Sequence, residues 1–294
     1  SISRYYDLSC VIGSKFTFFK AILKFIGYFA TFYSILILIF VKGIPELKNL
    51  KDKEFKYFSD NKRSFFTIAI IIFVLYIPYF LNKYPGIIST DSVSEICTSL
   101  LYMDNMVNHH PVFHIYIISI FTNIGKALGN YSLGISLYAI FQMIFTACVF
   151  SFVLYYMAKR NVNFYIRAIC FVIFALYPPF AQYAITLWKD VPFGLMMLLY
   201  TIVMVELAIN DNFLRSVKNR ILLIMVMILT ILFRNNGIYV VLLSMPFMII
   251  FAKNYRKVMS IIVGIVVVFY ILWKGPIFSL LNITDGPIRE SLSV

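Results

Sequence analysis

The sequence is poor in charge, and in negative charge above all. Only 13% of its 294 residues are charged, against about 25% in soluble domains, and 13 Asp and Glu stand against 26 Lys and Arg. Hydrophobic residues make up 61% of the chain, more than the core of a soluble protein of this size can enclose. These values exclude a soluble enzyme and a disordered chain, and they indicate a multi-pass membrane protein.

Cysteine is also scarce. Cys10, Cys97, Cys148 and Cys170 show no CxxC spacing, and two of them lie inside apolar runs. The pattern therefore predicts neither a disulfide framework nor a zinc site. The chain begins at Ser1 without an initiator Met or a signal-peptide pattern, and we expect it to be a fragment.

Long apolar runs predict an all-α fold. A spanning helix needs about 20 mainly apolar residues, and no internal repeat or soluble domain interrupts the runs. We expect a bundle of about eight transmembrane helices, with residues 1–63 adding an extra helix and a basic loop to a transmembrane domain at 64–294. The predicted spans are 16–41, 64–81, 133–158, 166–186, 191–209, 221–233, 237–252 and 258–274.

The positive charge is grouped along the chain. A net charge of +13 could suggest nucleic-acid binding, but Lys and Arg also gather in the cytoplasmic loops of membrane proteins, and we expect no nucleic-acid partner. Sixteen of the 26 cations fall in 42–63, 159–167, 215–220 and 253–257. If all four groups are cytoplasmic, 82–132 lies outside the cell. The apolar run 111–128 then cannot span, and we expect a juxtamembrane or re-entrant helix.

A second short helix is predicted over 91–103. Its apolar face repeats at i, i+3, i+4, i+7 and i+8, and it comprises Val93, Ile96, Cys97, Leu100 and Leu101. The opposite face carries Asp91, Glu95, Thr98 and Tyr102. Two juxtamembrane helices, joined by a polar loop at 104–110, are therefore expected on the outer membrane surface.

Ionisable residues in this outer region are candidates for function. Asp91 is interpreted either as a general base or substrate-binding carboxylate, or as a helix cap, because Ser92-Val-Ser-Glu95 fits a capping box. 

The three histidines of the chain, His109, His110 and His114, fall within six residues. His110 and His114 are four apart and share a helix face, which suits contact with a metal or a phosphate oxygen. The alternatives are a zinc site, the polar lining of a substrate pocket, and interfacial histidines without a role.

A third candidate is the step Lys189-Asp190 at a predicted membrane boundary. The two side chains either mark the end of a helix as a snorkelling pair or offer an ammonium to a phosphate.

Arg234, followed by Asn235 and Asn236, ends the predicted helix 221–233. That helix has 13 residues, about 20 Å, which is short for a hydrocarbon core of about 30 Å. We therefore expect Arg234 below the outer surface, where it needs an anionic partner. The partner is either a phosphate or an internal carboxylate, Asp190 or Asp91.

Taken together, these motifs resemble the membrane-embedded GT-C glycosyltransferases, and most closely an uncharacterised bacterial branch of that superfamily. The resemblance covers about 64–294. It is carried by Pro85-Gly86…Asp91-Ser92, Asn108-His109-His110-Pro111…His114, Trp188-Lys189-Asp190-Val-Pro-Phe and Arg234-Asn235-Asn236-Gly237. In that branch Glu-Ser-Leu-Ser-Ile/Val is followed by a Pro-x-Gln-Gln stretch, and this chain stops directly before it, at Glu290-Ser-Leu-Ser-Val294, which supports truncation.

The resemblance implies transfer of a sugar from a polyprenyl-phosphate donor to an extracytoplasmic acceptor, which is a glycan, lipid or protein. It implies that Asp91 accepts the proton of the acceptor hydroxyl and that Arg234 and Lys189 bind the donor phosphate. The substrate pocket would contain Glu95, His109, His110, His114, Asp190, Asn235 and Asn236. Ser92 stands where many relatives carry a second acidic residue, so no metal ligand is assigned and a divalent metal stays open.

The alternative function is a transporter or flippase of a lipid-linked or anionic substrate, because such proteins also place basic residues in membrane cavities. Transporters typically show inverted repeats and broken helices near the midplane, and no repeat is evident here. A scaffold protein would leave the clustering of ionisable groups on one side unexplained. The sequence thus favours an enzyme of the cell membrane with its active site on the extracytoplasmic side.

Overall fold

The computed structural model describes residues 15–38 and 59–284, and within them the chain is helical, with two isolated β-bridges and no strand. Most of the predicted basic loop, and Cys10, lie outside the described residues. The helices are α1 (Lys15–Leu38), α2 (Lys62–Asn82), α3 (Thr90–Leu101), α4 (Val112–Ala127), α5 (Tyr131–Lys159), α6 (Phe164–Leu176), α7 (Pro178–Ala184), α8 (Asp190–Ile209), α9 (Val217–Phe233), α10 (Gly237–Phe251) and α11 (Arg256–Leu272). A π-helical turn, Trp273–Ile277, and a last helical turn, Phe278–Leu280, continue α11.

Four helical segments in this part of the chain are long and apolar enough to cross a membrane: Lys62–Asn82, Tyr131–Lys159, Asp190–Ile209 and Lys253–Leu280. The bent pair α6 and α7 would add a fifth. The protein is thus an all-helical, multi-pass membrane protein, as the sequence predicted. α4, with 16 residues, is an apolar helix below that length, in agreement with the expected short helix at 111–128.

Two predicted spans differ in detail from the helices of the structure. The single span 166–186 is two helices bent by 56°, because Pro178 and Pro179 follow Tyr177 and the residue before a proline avoids the α conformation. α9 has 17 residues instead of 13, since it begins at Val217 and includes polar residues of its first turn.

The helices pack around two apolar cores. The first lies between α2, α5, α6 and α7, with the start of α8, and its centre includes Ile72, Tyr76 and Met143. The second lies between α8, α9, α10 and α11, around Leu223 and Met227. α8 contacts α5 on one side and α9 on the other, so it joins the two cores.

α3 packs with its polar face against the bundle. Ser92, Glu95 and Ser99 are buried, whereas Val93 and Leu101 are 50% and 71% exposed. The predicted helix is confirmed, but its apolar residues divide: Val93, Cys97 and Leu101 are exposed, whereas Ile96 packs against the first core. The predicted capping box between Ser92 and Glu95 is wrong, because Ser89 is the N-cap and exchanges hydrogen bonds with Ser92.

One end of the bundle brings together α3, α4 and the loops before α8 and α10; we call it the site end. Thr186, in the loop before α8, forms a β-bridge with Ile87, in the connection between α2 and α3. In the loop before α10, the Asn235 side-chain amide donates to the Asn108 carbonyl oxygen at 3.3 Å. The opposite end carries the α8–α9 connection at 210–216.

Candidate functional site

The site end holds a carboxylate, an amine and an imidazole in direct contact. Asp91, in the first turn of α3, accepts a hydrogen bond of 2.8 Å from Lys189 Nζ. The same Nζ lies 2.8 Å from His110 Nδ1. A lysine ammonium only donates, so His110 Nδ1 carries no hydrogen in this arrangement. Lys189 therefore pairs with Asp91, and not with its neighbour Asp190 as in the snorkelling interpretation.

These contacts change how the two groups titrate. The hydrogen bond from Lys189 holds the pKa of Asp91 below its ordinary value, against an opposing effect of burial. Burial lowers the pKa of His110 from 6.5 to about 4, and the ammonium of Lys189 acts in the same direction. At neutral pH Asp91 is therefore ionised and His110 is neutral.

Glu95 lies one helical turn beyond Asp91 and is fully buried. Its Oε2 is 2.9 Å from His114 Nδ1, and its Oε1 is 3.5 Å from His110 Nδ1. His114, in the first turn of α4, is also fully buried. His110 lies in the loop before α4, so the two histidines do not share a helix face as predicted, but both of them contact Glu95 of α3.

A line of hydrogen bonds continues from His114 into α5. His114 Nε2 lies 2.6 Å from the Tyr138 hydroxyl, which donates to Gln142 Oε1 at 3.0 Å. The Gln142 amide nitrogen in turn faces the carbonyl oxygens of Tyr183, Ala184 and Thr186 at 3.0, 3.1 and 2.7 Å. The loop that carries Lys189 is thus tied to the same network as the histidines.

The second cation forms a separate ion pair. Arg234 Nη1 lies 2.9 Å from Asp190 Oδ1, and its guanidinium stands 5.5 Å from the ring centre of Phe193. The side chains of Arg234 and Asp190 are both 27% exposed. This is the internal pairing that the sequence left as an alternative to a phosphate.

The remaining predicted site residues lie at the rim. His109 is exposed, and its ring packs edge-on against that of His110, with centroids 4.4 Å apart. Asn235 holds the loop 104–110 through its bond to Asn108. Asn236 is the N-cap of α10 and makes no capping bond with its side chain.

An apolar groove of about 560 Å³ leads to this site between α5, α6, α7 and α8. Its walls are aromatic and aliphatic side chains, among them Phe150, Phe174, Phe180 and Leu198. Trp188 and Asp190 also line it, so the groove reaches the loop that carries Lys189.

The arrangement can bind an anion and exchange a proton. Each cation is held by a carboxylate that an incoming oxyanion could replace, and the half-exposed Asp91 can accept a proton from a hydroxyl group. Among the described residues, no group of three or more His, Cys, Asp or Glu side chains is placed to hold a metal ion.

Sequence reasoning missed Tyr138 and Gln142. Both lie in the predicted span 133–158, four residues apart, and Thr146 follows after four more. A polar stripe at helical spacing inside an apolar helix is a signal for a buried network. Glu95 was found, although its full burial was not foreseen.

Comparison with known proteins gives a family and no activity. No curated protein and no solved structure matches the chain. A family model described as a family of unknown function, DUF6020, matches residues 102–294. The matched part contains the histidines, Lys189 and Arg234, whereas Asp91 and Glu95 precede it. The chain belongs to this family of unknown function, DUF6020.

Proposed function

We propose that this chain is an integral membrane glycosyltransferase of GT-C type that uses a polyprenyl-phosphate-linked sugar as donor. The observation that carries the proposal is the apolar groove whose lining includes Trp188 and Asp190, because Asp190 pairs with Arg234 and the adjoining Lys189 pairs with Asp91. A polyprenyl-phosphate sugar has the matching parts: a long apolar tail, a phosphate and a sugar. The remaining spans expected for such a fold, about eight in all, belong to the same proposal.

In the proposed reaction the tail lies in the groove and the phosphate displaces the carboxylates from Lys189 and Arg234. The guanidinium offers two parallel N–H donors to phosphate oxygens, and the ammonium adds a point charge. Both stabilise the negative charge that develops on the leaving phosphate. Released from Lys189, Asp91 becomes a stronger base and accepts the proton of the acceptor hydroxyl as the new glycosidic bond forms.

Asp91→Asn tests the catalytic role. The variant keeps the shape of the side chain and is expected to lose sugar transfer from a panel of polyprenyl-phosphate sugars to membrane acceptors. Asp104→Asn is the matched control, because Asp104 is an exposed carboxylate in the same outer loop. Wild-type turnover by Asp91→Asn would remove Asp91 from the reaction.

Arg234→Ala tests the phosphate site by native mass spectrometry with polyprenyl phosphate and with the corresponding polyprenol. We expect weaker binding of the phosphate, by about tenfold or more for the loss of one charge-assisted contact, and unchanged binding of the polyprenol. Arg215→Ala, at the opposite end, serves as control. Equal losses for both lipids would count against a phosphate at Arg234.

The side of the membrane on which the site lies is part of the proposal. Its support is the charge pattern, since Arg215, Lys218 and Arg220 lie at the end opposite to Lys189. In a variant without native cysteines, Asp104→Cys should react with an impermeant maleimide added outside the cell. Lys218→Cys should react only after the membrane is opened, and the reverse pattern would invert the topology.

A transporter or flippase is the second candidate, and the bend of 56° between α6 and α7 favours it, because broken helices line the substrate sites of transporters. Purified protein in vesicles distinguishes the two functions. A flippase moves a labelled lipid between leaflets without an acceptor, whereas a transferase releases the polyprenyl phosphate only when an acceptor hydroxyl is present.

A further inference from the structure

The buried contact between Glu95 and His114 has a proton requirement that follows from the hydrogen-bond network around it. The network is fixed at its far end by Gln142, whose amide nitrogen faces three carbonyl oxygens. A carbonyl only accepts, so this side of the amide must be the NH₂ group and the other side must be Oε1.

The direction of each further bond then follows in order. Gln142 Oε1 only accepts, so the Tyr138 hydroxyl uses its single hydrogen to donate to it. The Tyr138 oxygen consequently accepts from its other neighbour, His114 Nε2, 2.6 Å away. His114 must therefore carry a hydrogen on Nε2.

A neutral imidazole with its hydrogen on Nε2 has a bare lone pair on Nδ1. That lone pair would face Glu95 Oε2 at 2.9 Å, and an ionised carboxylate there has only lone pairs to offer. Two acceptors at that distance repel each other, and both side chains are fully buried, where water cannot intervene. A hydrogen between Nδ1 and Oε2 removes the conflict.

We infer that Glu95 and His114 share one additional proton at neutral pH, as imidazolium with carboxylate or as neutral imidazole with carboxylic acid. The alternative, a hydrogen on Nδ1 alone, would turn the Tyr138 hydroxyl toward His114 and leave its oxygen facing Gln142 Oε1 at 3.0 Å. The titratable groups that face the pair are His110 from the loop before α4 and Tyr138 from α5, and Lys189 contacts His110 in turn.

The shared proton balances the charge of the site. With it, the formal charges cancel; without it, the site carries one net negative charge. The groups counted are Asp91, Asp190, Lys189, Arg234 and the Glu95–His114 pair. A neutral site accepts a phosphate more readily than a negative one, and this consequence rests on the proposed function, whereas the proton itself does not.

The proton is observable without any enzymatic assay. The full chain is labelled with ¹⁵N-histidine and placed in lipid nanodiscs, and imidazole nitrogen shifts are recorded. The three histidines give three sets of signals, which the variants His109→Asn and His110→Asn assign. At neutral pH we expect His114 either with both nitrogens protonated or with Nε2 protonated beside a carboxylic acid band in the infrared spectrum.

Glu95→Gln gives the matching variant result. The new amide can donate to Nδ1, so His114 is expected to become neutral with its hydrogen on Nε2, and any carboxylic acid band of Glu95 disappears. Glu206→Gln, at the opposite end of the bundle, should leave all three histidines unchanged. Neutral wild-type His114 with its hydrogen on Nδ1 and no acid band would overturn the inference.

Tyr138→Phe keeps the inference testable if Glu95→Gln does not fold. Without the hydroxyl, Nε2 of His114 loses its acceptor, so at neutral pH we expect its hydrogen on Nδ1, where it donates to Glu95, and no hydrogen on Nε2. Imidazole nitrogen shifts that still show Nε2 protonated, as in the wild type, would contradict the assignment of hydrogen-bond directions.

Discussion

Gln142→Leu is the most direct test of how the site loop is held. Gln142 is 2% exposed in the middle of α5, and its amide contacts four partners, three of them carbonyl oxygens at 183–186. The NH₂ group has two hydrogens, so Gln142 makes at most about three hydrogen bonds at once, two donated and one accepted. Hydrogen bonds inside membrane bundles contribute about 0.6 kcal/mol on average, so together these contribute about 2 kcal/mol. A carbonyl left without a donor adds about 1 kcal/mol.

The expected loss in free energy of unfolding is therefore about 3 kcal/mol, which corresponds to a fall in Tm of about 6–12 °C for a protein of this size. The assay is thermal unfolding in detergent micelles at a fixed scan rate, followed by intrinsic fluorescence. The only other glutamine, Gln182, is exposed, and Gln182→Leu should change stability by at most about 0.5 kcal/mol. Equal shifts for the two variants would refute the role given to the Gln142 amide.

Two further predictions concern packing and pH. Gly237→Ala should destabilise the protein by about 1–3 kcal/mol, because a Cβ would lie 2.1 Å from the Thr230 carbonyl oxygen. Gly264 has open space around it, so Gly264→Ala should leave the stability unchanged. Thermal unfolding of the two variants compares them. Because burial lowers the pKa of His110 to about 4, the unfolded chain binds a proton there before the folded one, so stability should fall as the pH drops from about 6.5 toward 4. His110→Asn should flatten this dependence, and an unchanged slope would contradict the pKa assignment.

Much of the fold follows from hydropathy. The predicted spans 64–81, 133–158 and 191–209 agree with α2, α5 and α8 within about three residues at each end. The break before α7 could have been read from Pro178-Pro179, since prolines end a helix at the preceding residue. The hydropathy pattern does not show this break, because the residues on both sides of it are equally hydrophobic.

The sequence predicted which residues belong to the site, but not most of the contacts between them. The sequence placed Asp91, Lys189 and Arg234 at one end of the bundle, and the structure brings Lys189 to Asp91. Which carboxylate pairs with which cation depends on how helices far apart in the sequence pack, so the sequence alone left two candidate carboxylates for Arg234, Asp190 and Asp91. The burial of Glu95 was not predictable, because a polar face on a short helix ordinarily points to water.

α3 buries polar side chains and exposes apolar ones, and this makes the site dependent on the medium around the protein. Ile96 packs against the first core, but Val93 and Leu101 are exposed and gain free energy only where hydrocarbon replaces water, so we expect lipid to support the outer side of α3. A detergent with a thin or mobile hydrocarbon shell weakens that support. Purification under such conditions would loosen the segment that carries Asp91 and Glu95 while the spanning helices stay folded, and an inactive preparation could then still unfold cooperatively.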